Sequence, residues 1–173
     1  GKIKLVAGTG VADTGGMISL LSGEGTATTS GQIKIVTPSA GTSGVSGALE
    51  FSSGITTTGA SGSISIGTGT AAGGKGGSIS VSIGDSNAED GGKMSLQAGK
   101  TTATKNGGEV LIESGDTTTN NNAQGTGGVM NLNAGQSTSF VGGYVSVSAG
   151  QGGTIGGKIK LVAGTGVADT GGM

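Results

Sequence analysis

The sequence predicts an all-β chain: a parallel β-solenoid of two-sided coils about 15 residues long, about eleven coils in all. Three observations carry that expectation. The stretch GKIKLVAGTGVADTGGM fills positions 1–17 and returns without a change at 157–173. A shorter Gly-headed period runs inside the 156-residue unit so defined. Within each short repeat, large apolar residues alternate with polar ones.

The exact recurrence comes first because it sets the scale. Chance identity over 17 residues is negligible even in this biased composition, so residues 1–156 read as one super-repeat and 157–173 as the start of the next. Neither edge carries the polar cap that closes an exposed sheet, and the coils are expected to continue past both.

The short repeats begin at Gly1, Gly16, Gly31, Gly47, Gly62, Gly77, Gly92, Gly108, Gly128 and Gly143, with the new round at Gly157. Most are 15 residues long; the repeats starting at Gly31 and Gly92 have 16, the one at Gly108 has 20 and the one at Gly143 has 14. The long repeat carries TTTNNNAQGTG at 117–127, read as a tolerated bulge from the coil.

Counting from the first Gly, positions 3 and 5 are large and apolar, and side chains two apart share one face of a strand. The inward ladder is therefore Ile3 and Leu5, Ile18 and Leu20, Ile33 and Ile35, Leu49 and Phe51, Ile64 and Ile66 in the first half. It continues with Ile79 and Val81, Met94 and Leu96, Val110 and Ile112, Met130 and Leu132, Val145 and Val147. Position 7 is mostly small, as in Ala7, Ser22 and Ala98. Positions 2, 4 and 6 are mainly Lys, Ser, Glu, Gln and Asn and are expected outside. The remaining seven or so residues are Ser, Thr, Ala and Gly, suited to a weaker second strand, with glycine at the corners for φ > 0 or tight backbone geometry. An antiparallel meander is the rival; its seven-residue loops exceed the usual hairpin lengths.

Composition bounds the chemistry. A flexible or disordered chain is the bland alternative for 42 glycines in 173 residues with 2% aromatics, but 32% hydrophobic residues at fixed places oppose it. Nine basic and ten acidic residues nearly cancel, and Arg is absent, so no nucleic-acid-binding face is expected. No run of 18 apolar residues exists to span a membrane. With no His, Cys or Arg, most activated nucleophiles and bases are missing, and no enzyme activity, cofactor or metal is expected. Glu109 and Glu113 would lie about 13 Å apart on a strand, too far for one metal. Asp13, Asp85 and Asp116 fall at different places in the repeat, unlike a calcium-binding nonapeptide.

The Gly-x-Ile-x-Leu pattern over all 173 residues resembles the Gly/Ser/Thr-rich repeats of extracellular β-solenoid proteins, namely adhesins, surface fibres and, more distantly, ice-binding solenoids. The resemblance implies a structural or adhesive role, outside the cell or on its surface. The ranks of Thr an ice-binding face needs, such as Thr26 and Thr28 or Thr56 and Thr58, are broken by Val45, Ala71 and Asn87.

The leading expectation is the shaft of a long extracellular filament built from tandem 156-residue units; the alternative is an adhesive or ice-binding surface module. Its partners are further copies of the repeat along the fibre axis. Lateral association is expected at the outward apolar stripe Val6, Leu21 and Val36, with Tyr144 as a further outward contact.

Overall fold

The computed structural model describes residues 1–117 and 125–165. Among them there is no strand and no helix, which overturns the all-β solenoid. Stacked coils require backbone bonds between residues about 15 apart in adjacent repeats. The backbone–backbone bonds of the described residues instead join residues 2 to 13 apart, and none links one apolar ladder position to the next. The physical reason lies in composition. A coil offers two large apolar residues to offset the ordering of about fifteen, and a quarter of the chain is glycine, which loses the most backbone freedom on folding.

The ladder residues are accordingly uncovered: no described residue is buried. The chain exposes 17556 Å², where a compact protein of this mass exposes about 7,400 Å² and an extended chain about 23,000 Å². The division into buried inward and open outward faces disappears with the sheet, since Ile64 and Leu96 are exposed, as Val6 and Leu21 are.

The short period nevertheless survives as local structure. One bend recurs in each described repeat, at 11–13, 26–28, 57–59, 72–74, 87–89, 103–105, 138–140 and 153–155, with a turn at 42–43 taking its place in the third repeat. The bend always begins at repeat position 11, or at 12 in the two 16-residue repeats. Those two absorb their extra residue in a tight local turn: the Gly44 amide donates to the Gly41 carbonyl at 3.4 Å, and the Lys105 amide to the Ala103 carbonyl at 2.8 Å.

Around each bend the chain returns on itself. In six repeats the amide of the next repeat's first Gly donates to the carbonyl of the Gly at position 8: Gly16 to Gly8, Gly31 to Gly23, Gly108 to Gly99, Gly128 to Gly115, Gly143 to Gly135 and Gly157 to Gly150, all at 2.8–2.9 Å. Each repeat is thus a seven-residue run followed by a loop. The unit Gly1–Ser82 holds two loops tied in this way and then three that are not, 38–47, 54–62 and 69–77. The unit Ile83–Met173 begins with an untied loop, 84–92, and continues with four tied ones.

The two identical segments show what the preceding loop does. Ile3 has two residues before it and is 94% exposed; Ile159, in the same local sequence after the loop 150–157, is 51% exposed. At every repeat but the first, position 3 is less exposed than position 5. Tied and untied loops shade position 3 alike, so the nearness of the loop rather than its closing bond is responsible.

Candidate functional site

The recurring feature is the loop, closed by a backbone bond in six repeats, and its parts come from four repeat positions. The closing Gly at position 1 is required by close approach. A Cβ at Gly16 would stand 3.1 Å from the Gly8 nitrogen and 3.2 Å from the Ala7 Cβ; at Gly108 it would stand 3.1 Å from the Gly99 nitrogen. Gly31, Gly128, Gly143 and Gly157 repeat these approaches. None of the described glycines has φ in the left-handed region. The expectation that glycine supplies positive φ at the corners is therefore not met, whereas tight backbone approach is.

Position 7 sorts the loops. The six tied loops follow Ala7, Ser22, Ala98, Ser114, Ala134 and Ala149, so the closing Gly settles against an unbranched Cβ. Three of the untied loops follow Thr37, Thr68 and Ile83. At Thr68 and Ile83 a Cγ2 methyl occupies the approach, 3.1 Å from the Cβ position of Gly77 and 2.6 Å from that of Gly92, whereas the Thr37 methyl stands at an ordinary 3.6 Å from that of Gly47. Thr68 instead directs its hydroxyl to the Gly77 carbonyl at 3.4 Å. In the third repeat Pro38 is an obstacle, because its ring is attached to the nitrogen against which the closing Gly packs elsewhere. Ser53 precedes an untied loop although it is small, and nothing in the structure explains it.

Loop length does not sort them. Tied loops span 7 to 13 steps from position 8 to the closing Gly, a range that changes closure entropy by only about 0.5 kcal/mol. That is below the net worth of one hydrogen bond, about 0.5–1.5 kcal/mol.

Position 10 starts the bend, and sequence reading missed it. In three repeats it is glycine: a Cβ at Gly10 would overlap the Asp13 carbonyl oxygen, at Gly25 that of Thr29, and at Gly152 that of Ile155. In five others it is Ser or Thr with a bonded hydroxyl. Thr56 Oγ1 accepts from the Gly59 amide at 3.2 Å, Ser86 Oγ from Glu89 at 3.1 Å, Thr101 Oγ1 from Ala103 at 3.2 Å and Ser137 Oγ from Phe140 at 2.9 Å. Thr117 Oγ1 donates to the Thr126 carbonyl at 2.9 Å across the base of the long loop; the interior of that loop, 118–124, lies outside the described residues. These are side-chain-to-backbone turns, in which a hydroxyl replaces a backbone partner. Ser and Thr at this position fasten bends rather than filling a second strand. The signal was available in the sequence as a column of Gly, Ser, Thr or Ala ten residues into each repeat.

The only half-buried residues described are Ala7, Gly25, Ala98, Thr101, Ser114 and Ala134, all at positions 7 or 10 of tied loops. The expected lateral residues Val6, Leu21, Val36 and Tyr144 are exposed; the backbone bonds between the first three repeats run from a closing Gly to position 8 and not between these residues. The loss of register likewise removes any ordered rank of threonines.

The site is therefore a set of backbone amides, carbonyls and hydroxyls that serve one another. Among the described residues no three of His, Cys, Asp and Glu stand together as a metal site, and no helix is long and apolar enough to cross a membrane. Compared with family models, with curated proteins and with solved structures, the chain finds no match in any of the three.

Proposed function

We propose that this chain is a structural protein, a tandem array of 156-residue units along a filament at the cell surface or outside the cell. The observation that carries the reading is the unchanged return of residues 1–17 at 157–173. Supporting it, six of the ten loops close locally, on the glycine that opens the next repeat, so the contacts are short-range and length is added by adding copies. The exposed apolar pairs at positions 3 and 5 are then contact positions for further copies of the same repeat.

Chains carrying one, two and three 156-residue units test this. Their contour lengths in electron micrographs should rise by equal increments, and the source polypeptide should have a mass far above 16.1 kDa. A source chain near that mass, or lengths that do not grow with unit number, would overturn the proposal.

A further inference from the structure

We infer that Ser78–Ser82, in the sixth repeat, is a self-docking segment whose partner is the same segment of a second copy of this chain. Ser-Ile-Ser-Val-Ser alternates strictly, with β-branched residues on one side and hydroxyls on the other, and the alternation runs on into Ile83. Ile79 and Val81 are exposed. None of the backbone amides and carbonyls of this segment is bonded within the chain. Short uncharged alternating segments of this kind, without Pro and with free backbone groups, stack in register with identical copies about 4.8 Å apart.

Charge selects the occupant and the place. In-register stacking sets every side chain beside its own copy. Lys2 and Lys4, Lys34, Glu50, Lys93, and Glu109 with Glu113 would each meet a like charge in their repeats. The sixth repeat has no charge in its first seven residues, and among the uncharged repeats it alone has β-branched apolar residues at positions 3, 5 and 7. Ile83 has a second consequence, since its Cγ2 blocks Gly92 and leaves the following loop untied. The segment thus lies between two loops, 69–77 and 84–92, that no closing backbone bond ties. The inference deepens the structural reading above by naming one point at which copies meet side by side.

The test uses the full 173-residue chain. Val81→Lys places a lysine at every step of the stack, and Val147→Lys makes the same change at position 5 of the tenth repeat. Sedimentable assembly should fall at least tenfold with the first and change less than twofold with the second. A spin label on Ser80→Cys should give the single exchange-narrowed line of stacked identical sites, and one on Ser146→Cys should not. Equal loss with both lysine variants, no loss with Val81→Lys, or no narrowing at position 80 would each overturn the inference. The length increments of the one-, two- and three-unit chains are read on unassociated molecules, so the filament reading stands or falls separately.

Discussion

Residues 32–92 and the stretches on either side of them are built from the same repeat, yet only the flanks tie their loops. On one side lie Ala7 and Ser22, and on the other Ala98, Ser114, Ala134 and Ala149, each followed by a loop whose closing glycine bonds back. Between them lie Thr37, Ser53, Thr68 and Ile83, and four loops that do not. A methyl group at Cγ2 stands in the way of the closing glycine in two of the four cases, Thr68 and Ile83. A repeat this small has no core to absorb a misplaced methyl, so a single atom decides a local structure that a packed domain would share among many contacts.

The largest break in that comparison should come from Gly152→Ala. The new Cβ would overlap the Ile155 carbonyl oxygen, and the bend at 153–155 must change. Hydrogen exchange at the Gly157 amide should then rise to the rate of an untied loop such as Gly77. A closing bond worth about 0.5–1.5 kcal/mol protects about 2- to 12-fold, and all of this protection should go. Exchange at Gly16, which belongs to the other unit and shares no hydrogen-bond partner, should not change.

Ala98→Ile should come next. It copies Ile83 into a tied loop and sets a Cγ2 beside Gly108, where even a Cβ on that glycine would already stand 3.3 Å from the Ala98 Cβ. The Gly108 amide is expected to lose most of its protection while the hydroxyl turn from Thr101 to Ala103 remains. If Gly108 stayed as slow to exchange as Gly16, position 7 would not be the sorter.

The converse, Ile83→Ala, sharpens the comparison from the other side. Gly84, Gly91 and Gly92 already match the glycines of a tied loop, so removing the branch should let Gly92 bond to Gly84. The expected gain is about 2- to 5-fold in exchange protection at Gly92, within the range of one exposed backbone bond. An unchanged rate would mean that something other than the Ile83 methyl holds this loop open.

These contrasts also mark what the sequence could convey. The glycine spacing located every loop, and the lengths of 16 at Gly31 and Gly92 placed the two loops with an extra tight turn. The smallness of position 7 was visible as part of the face shared with positions 3 and 5, whereas Ala7 and Ala98 make room for the chain's own next glycine. Alternation at positions 3 and 5 was visible too. It states that one side of a run is apolar and does not state what covers it. The step from Ile3, Ile18 and Ile33 to a stacked ladder supplied a partner for each run that the structure does not contain. Ser137 and Thr56 were missed for a related reason: a hydroxyl ten residues into a repeat was weighed for its β preference, and its local bond to a backbone amide was not.

The smallest expected effect is that of Ser137→Ala, and it tests whether bend and closure are separable. The substitution removes the hydroxyl that accepts from the Phe140 amide at 2.9 Å and leaves the bond from Gly143 to Gly135 in place. Because both groups are exposed, the loss should be about 0.5–1 kcal/mol, or about 2- to 5-fold faster exchange at Phe140. Ser137→Thr should restore the original rate, since Thr56 and Thr101 make the same turn. Gly143 should keep its protection throughout, because the loops begun by Gly10, Gly25 and Gly152 close with no hydroxyl at that position. Faster exchange at both Phe140 and Gly143 would show that the hydroxyl turn holds the whole loop, and that position 10 shares with position 7 the decision between tied and untied repeats.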